Sequence, residues 1–194
     1  MSKTIVANFT ESGSTKTGLS AVVSIWKVSD STKEVDGAAA TEISDGFYKY
    51  AFTGYEEDTD YVVLFDGSSS LQNYERYHYG FIRNSQLNYV TAVFTESGSP
   101  KTGLSPTVRI IQVSDGTEVV TDGEMDEIGS GFYKYNFEDA EEYTDYVFIC
   151  DGGATLNDYE RYIYGSTDVG SLNLEYEICE DIEITVETEV DLEI

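Results

Sequence analysis

The chain has 194 residues, of which 40% are hydrophobic and 13% aromatic, with 16 tyrosines against 9 phenylalanines and 1 tryptophan. That is enough apolar material for one domain or two small ones, and 17 glycines with 2 prolines argue against a collagen-like or low-complexity chain. With 37 acidic and 11 basic residues the net charge is −26, a surface that repels nucleic-acid phosphates and anionic membranes, and no apolar run approaches the ~20 residues that span a bilayer.

The predicted elements come in two matching sets. Phe9 aligns with Phe94, an offset of 85 residues, and the whole series follows without a gap. In chain order the shared motifs are "FTESGS" at Phe9 and Phe94, "KTGLS" at Lys16 and Lys101, and "VSD" at Val28 and Val113. They continue with "GFYKY" at Gly46 and Gly131, "TDYV" at Thr59 and Thr144, "DG" at Asp66 and Asp151, and "YERY" at Tyr74 and Tyr159. A unit of that length lies in the usual domain range. The expected division is residues 1–84 and 85–168 as sandwich repeats, then 169–194 as an acidic arm.

Alternation dominates each unit. "AVVSIWKV" and "PTVRIIQV" read as strands, with Val23 and Ile25 matching Val108 and Ile110. In "GFYKYAF" the rings of Tyr48, Tyr50 and Phe52 fall on one face and Phe47, Lys49 and Ala51 on the other. Tyr133, Tyr135 and Phe137 repeat the pattern, and these rings are expected in the core. "DYVVLFDG" and "DYVFICDG" are apolar on both faces, as central strands are. "YERYHYG" reads as a strand that places Glu75, Tyr77 and Tyr79 together, although "SLQNYER" has room for one helical turn. Six or seven short strands per unit predict an all-β protein of two tandem Ig-like antiparallel β-sandwiches.

No catalytic constellation emerges. His78 is replaced by Ile163 in the second unit, which suits a packing residue better than a general base. Nucleophile elbow, P-loop, dinucleotide fingerprint and Cys/His zinc spacing are all missing from the sequence. Cys150, matching Phe65, and Cys179 read as free thiols. The acidic loops "EEDTD" (Glu56 to Asp60) and "EDAEEYTD" (Glu138 to Asp145) hold oxygen ligands of the kind calcium takes, but neither matches an EF-hand. The expectation is no enzyme, no cofactor and no metal.

The series "KTGLSPTVRI", "VSDGTEVV", "GFYKYNF", "DYVFICDGG" and "ERYIYG" resembles the Ig-like or carboxypeptidase-regulatory-like β-sandwich modules repeated in tailed-phage virion proteins. The resemblance spans about Lys16 to Gly80 and Lys101 to Gly165, and marks a fold and a context, with no catalytic residues to carry over. It implies a structural or decoration protein of a virion, on head, tail or fibre. Such a protein binds other virion proteins or copies of itself as an oligomer within an assembly. The lack of a basic, apolar leader agrees with synthesis in a host cytoplasm and residence in the virion. A glycan-binding adhesin is the alternative, and would need exposed, coplanar rings at a loop end. A depolymerase would need a carboxylate cleft that differs between the units.

After Gly165 the repeat dissolves. Leu172, Leu174, Tyr176, Ile178, Ile182, Ile184, Val186, Val190, Leu192 and Ile194 all fall on even positions, with acidic residues crowding the odd ones. The period is that of a strand. "LN" at Leu172 falls 85 residues after "LN" at Leu87, so the arm starts like a third copy whose other strands never arrive. A lone amphipathic strand needs a partner edge for its backbone groups, so these ten residues are the expected interface, acting by strand addition.

Overall fold

The computed structural model describes residues 2–83, 89–141 and 144–167. The first unit contains β1 (Lys3–Asn8), β2 (Thr10–Glu11), β3 (Ser14–Thr15), β4 (Val22–Lys27), β5 (Lys33–Ala39), β6 (Thr41–Ser44), β7 (Phe47–Phe52), β8 (Tyr61–Asp66), α1 (Asn73–Arg76) and β9 (Tyr77–Ile82). The second repeats them as β10 (Tyr89–Val93), β11 (Thr95–Glu96), β12 (Ser99–Pro100), β13 (Thr107–Gln112), β14 (Glu118–Glu124), β15 (Asp126–Gly129), β16 (Phe132–Asn136), β17 (Tyr146–Asp151), α2 (Asp158–Arg161) and β18 (Tyr162–Thr167).

Each repeat stacks a three-stranded sheet on a four-stranded one, all antiparallel. The orders are β1-β7-β6 with β5-β4-β8-β9, and β10-β16-β15 with β14-β13-β17-β18. A constant-type immunoglobulin domain keeps its second strand in the sheet of the first. Here the second long strand, β4 or β13, joins the four-stranded sheet between the third and sixth. The fold is thus an all-β antiparallel sandwich, and every sheet draws its strands from one repeat only.

The facing sheets enclose one apolar core per repeat. Phe9, Val23, Ile25, Tyr48, Phe52, Tyr61 and Phe65 fill the first; Phe94, Val108, Ile110, Tyr133, Phe137, Tyr146 and Cys150 fill the second. Tyr50 and Tyr135 are partly buried at the core margins. Burial pushes the Cys150 thiol up to about 12, so it is an inert apolar side chain at neutral pH.

The tyrosines of β7 and β16 also place a loop. The Tyr48 hydroxyl accepts the Leu19 amide at 2.8 Å and donates to Glu42, whose carboxylate accepts the Gly18 amide. Tyr133, Leu104, Glu127 and Gly103 repeat the arrangement. "KTGLS" is therefore pinned from inside by a core phenol. The glycine opening each "GFYKY" has φ +78, and a Cβ there would lie 2.6 Å from the Phe9 carbonyl oxygen or 2.7 Å from that of Phe94. Only glycine fits that turn.

"YERY" is not wholly strand. Tyr74 to Arg76 lie in α1, so Glu75 does not share a strand face with Tyr77 and Tyr79. The backbone turns because Asp66 holds Arg76 with two hydrogen bonds of 2.6 Å, while the Gly67 amide donates to the Arg76 carbonyl. Asp151 and Arg161 do the same at 2.6 and 2.7 Å. Glu75 instead accepts the Ser12 amide, and Glu160 the Gly98 amide, tying each small hairpin to its helix.

Two outcomes follow. Tyr133→Phe leaves the Leu104 amide without its acceptor and costs about 1 kcal/mol in urea unfolding. The Arg161 fork, helped by the Gly153 amide, holds the Asp151 carboxyl below the usual carboxylate range. A depressed carboxyl contributes stability that is full above its unfolded value near 4 and is lost as pH falls through the folded one. Asp151→Asn should therefore lower the melting temperature at pH 7 and change it little near pH 2, as thermal melts across pH will read.

Candidate interaction surface

The four-stranded sheet of the first repeat is apolar on its outer face as well. Trp26 and Val28 from the β4 side, Val62 and Leu64 from β8, and Tyr77 and Tyr79 from β9 point away from the first core. They are covered by the outer face of the second repeat's three-stranded sheet, through Ile128, Phe132, Tyr89 and Val93. Phe132 is at the centre, 6.0 Å from the Trp26 ring and edge-on to Tyr79 and Phe81 at 5.6 and 5.9 Å. Each such ring or aliphatic group contributes about 1.5–3 kcal/mol on burial.

Polar groups fix the register of this contact. The Lys134 ammonium donates to the carbonyl oxygens of Val28 and Ser29 at 2.6 and 2.7 Å. Desolvation pushes its pKa down. Arg83 donates to the Thr91 hydroxyl at 3.2 Å. Gly129, at φ +146, lets the indole approach: a Cβ there would lie 2.9 Å from Trp26 Nε1. At the other end of the repeats, Asn73 donates to the Ser97 carbonyl.

The counterparts of these two faces lie exposed at the outer ends, with Thr4 and Asn8 in place of Tyr89 and Val93. Phe132 is fully buried, whereas its counterpart Phe47 is 46% exposed; Val28 is 1% exposed and its counterpart Val113 55%. Ile43 and Val6 on the first repeat, and Val147 and Tyr164 on the second, are exposed with them. A shallow hollow of about 330 Å³ on the first repeat is lined by Thr4, Ala39, Thr41, Lys49, Tyr50 and Ala51.

Neither a protein-family model nor a curated protein matches the chain.

His78 is half-buried and edge-on to the core residue Phe9 at 4.8 Å. In the acidic loops Glu56 pairs with Lys27 at 2.9 Å, and Glu138 accepts from Asn136. Among the described residues no group of three or more His, Cys, Asp or Glu is arranged to hold a metal ion. The rings of Tyr48 and Tyr133 face inward and are closed off from solvent. Among these residues no helix is long and apolar enough to cross a membrane.

The apolar even positions from Leu172 to Ile194, expected as the interface, lie outside the described residues, as do Cys179 and the "LN" at Leu87. Sequence reasoning did not single out Trp26, Phe132 and Lys134, which join the repeats. Their signal was present: an apolar side chain on both faces of strands already assigned a core face.

The Tyr79 hydroxyl is buried in this contact without a hydrogen-bond partner. Burial pushes its pKa up, since no group there stabilises the anion. Tyr79→Phe removes the stranded hydroxyl and keeps the ring, so unfolding free energy should rise by about 1 kcal/mol. A loss of stability in urea titration would show that the hydroxyl is satisfied.

Proposed function

We propose that this chain is a non-catalytic structural protein of a bacteriophage virion, a head auxiliary, tail or fibre component. It holds its neighbours through the outer faces of its sandwiches and through strand addition by the acidic arm. The carrying observation is the contact between the repeats, in which outer sheet faces with no catalytic groups are used to join one sandwich to another. A surface spent on docking, with apolar side chains left open at both ends, suits a protein whose work is to be built into something larger. The resemblance of the repeat to virion β-sandwich modules supplies the context. The strong negative charge suits partners with basic surfaces and keeps the unassembled chain apart from nucleic acid.

The test is quantitative mass spectrometry of purified particles of the phage that encodes the chain. The expected result is a fixed copy number per particle that survives density-gradient purification. Recovery only in the soluble lysate would overturn the reading. Copy number also sorts the sites, because a head decoration, a tail tube and a fibre differ widely in multiplicity.

A further inference from the structure

We propose that copies of this chain stack head to tail, the outer four-stranded face of the second repeat seating on the outer three-stranded face of the first repeat of the next copy. The contact would reuse the centre of the one already made inside each chain, with Phe47, Ile43 and Lys49 in the places of Phe132, Ile128 and Lys134. The inference rests on the reading of the chain as an assembly protein and names the occupant of its open faces.

Three observations point to a second copy. The first is that donor and acceptor of the polar lock are both present and unused. Lys49 occupies in the first repeat the place of Lys134, and "VSD" at Val113 occupies the place of "VSD" at Val28. The receiving turns share two hydrogen bonds. Val28 and Val113 amides donate to the Asp60 and Asp145 carbonyls at 2.9 Å, and the Thr32 and Thr117 amides are held by the Asp30 and Asp115 carboxylates at 2.9 and 2.8 Å. Carbonyls that accept Lys134 in one repeat are therefore presented in the same form, open, in the other.

The second is the state of the cations. The sequence holds 11 lysines and arginines, all among the described residues. Seven make ion pairs, Lys134 is bonded to carbonyls, Arg83 to Thr91, and Lys3 lies over the Tyr55 ring. Lys49 alone has no such partner among the described residues, in a chain crowded with carboxylates, and it stands two residues from exposed Phe47 on the same face of β7.

The third is complementary size. Inside the chain Trp26 meets Gly129, where no Cβ is tolerated. At the open ends the matching pair is Ile111 and Ser44. At this position the large partner has become smaller and the small one larger, although around it Thr4, Asn8 and Ser166 stand where Tyr89, Val93 and Phe81 stand inside the chain, so the open contact is smaller and more polar at its margin. An interface between different patches on identical chains continues until geometry closes it, giving a ring or a filament. The charge of −26 opposes association at low ionic strength and is screened as salt rises.

The test uses the full chain in sedimentation velocity at about 1 M NaCl, where the Debye length is about 3 Å. Wild type should show a concentration-dependent series of masses. Phe47→Asp and Val147→Asp, each at an exposed position, should be monomeric alone. Mixed, they should form a dimer and nothing larger, because each retains the face the other has lost. The mixed dimer also shows that both variants fold. Lys49→Met, which removes the ammonium and keeps an unbranched apolar stem, should weaken association about tenfold or more at a salt concentration that screens the change in net charge, the loss of a charge-assisted hydrogen bond. A monomeric wild type, self-association of Phe47→Asp as strong as wild type, or a mixture that fails to dimerise would overturn the proposal. So would association that appears only in Ile178→Asp, which would assign the second repeat's open face to the chain's own arm. Presence of a monomeric chain in particles would sink head-to-tail stacking and leave the structural role standing.

Discussion

The structure depends on a sheet that is apolar on both faces. A sandwich core needs one apolar face per sheet, and the other usually goes to water. In the first repeat the four-stranded sheet has Val23, Ile25 and Phe65 on one side and Trp26, Val62 and Leu64 on the other. The second set has no place in its own repeat, so a second sandwich must cover it. The two repeats are thereby joined through packed side chains, with Phe132 as the wedge and Lys134 tying the strand end across the seam.

The pentapeptide "GFYKY" condenses this design. Its glycine makes a turn no other residue fits, and its first tyrosine fills the core and pins "KTGLS" through the hydroxyl. Its phenylalanine and lysine point the other way, into the neighbouring repeat where one exists. Core and contact are thus written on alternate residues of one strand, which is why the whole string recurs rather than its even or odd members.

Much of this was legible in the sequence. The gapless offset and the period-2 runs led to paired sandwiches with Tyr48, Phe52, Tyr133 and Phe137 inside, because alternation maps directly onto the two sides of a pleat. What stayed hidden is long-range. Alternation says that Phe132 faces away from its core but not what it meets, and Phe47, the same residue in the same motif, is exposed. Nor does period 2 show that Arg76 will be caught by Asp66 ten residues earlier, curling "NYER" into a helical turn ahead of β9. The strand order likewise turns on which edges meet, a choice that the pattern within one strand does not encode.

Charge and contact then pull in opposite directions. An exposed Phe47, Ile43 or Val147 invites association, while 37 acidic residues against 11 basic ones resist it. In such a chain most cations are consumed locally, as Arg76 and Arg161 are by their aspartates and Lys101 by Glu96. A lysine that reaches across the seam to carbonyl oxygens gains a neutral acceptor whose dipole costs little to desolvate compared with a carboxylate. It also tests position more strictly than an ion pair does, because two adjacent carbonyls must converge on one ammonium. An acidic surface that discourages loose encounters, with a few apolar positions and one aimed lysine, favours a single register over general stickiness, which is how specificity is obtained when repulsion is part of the design.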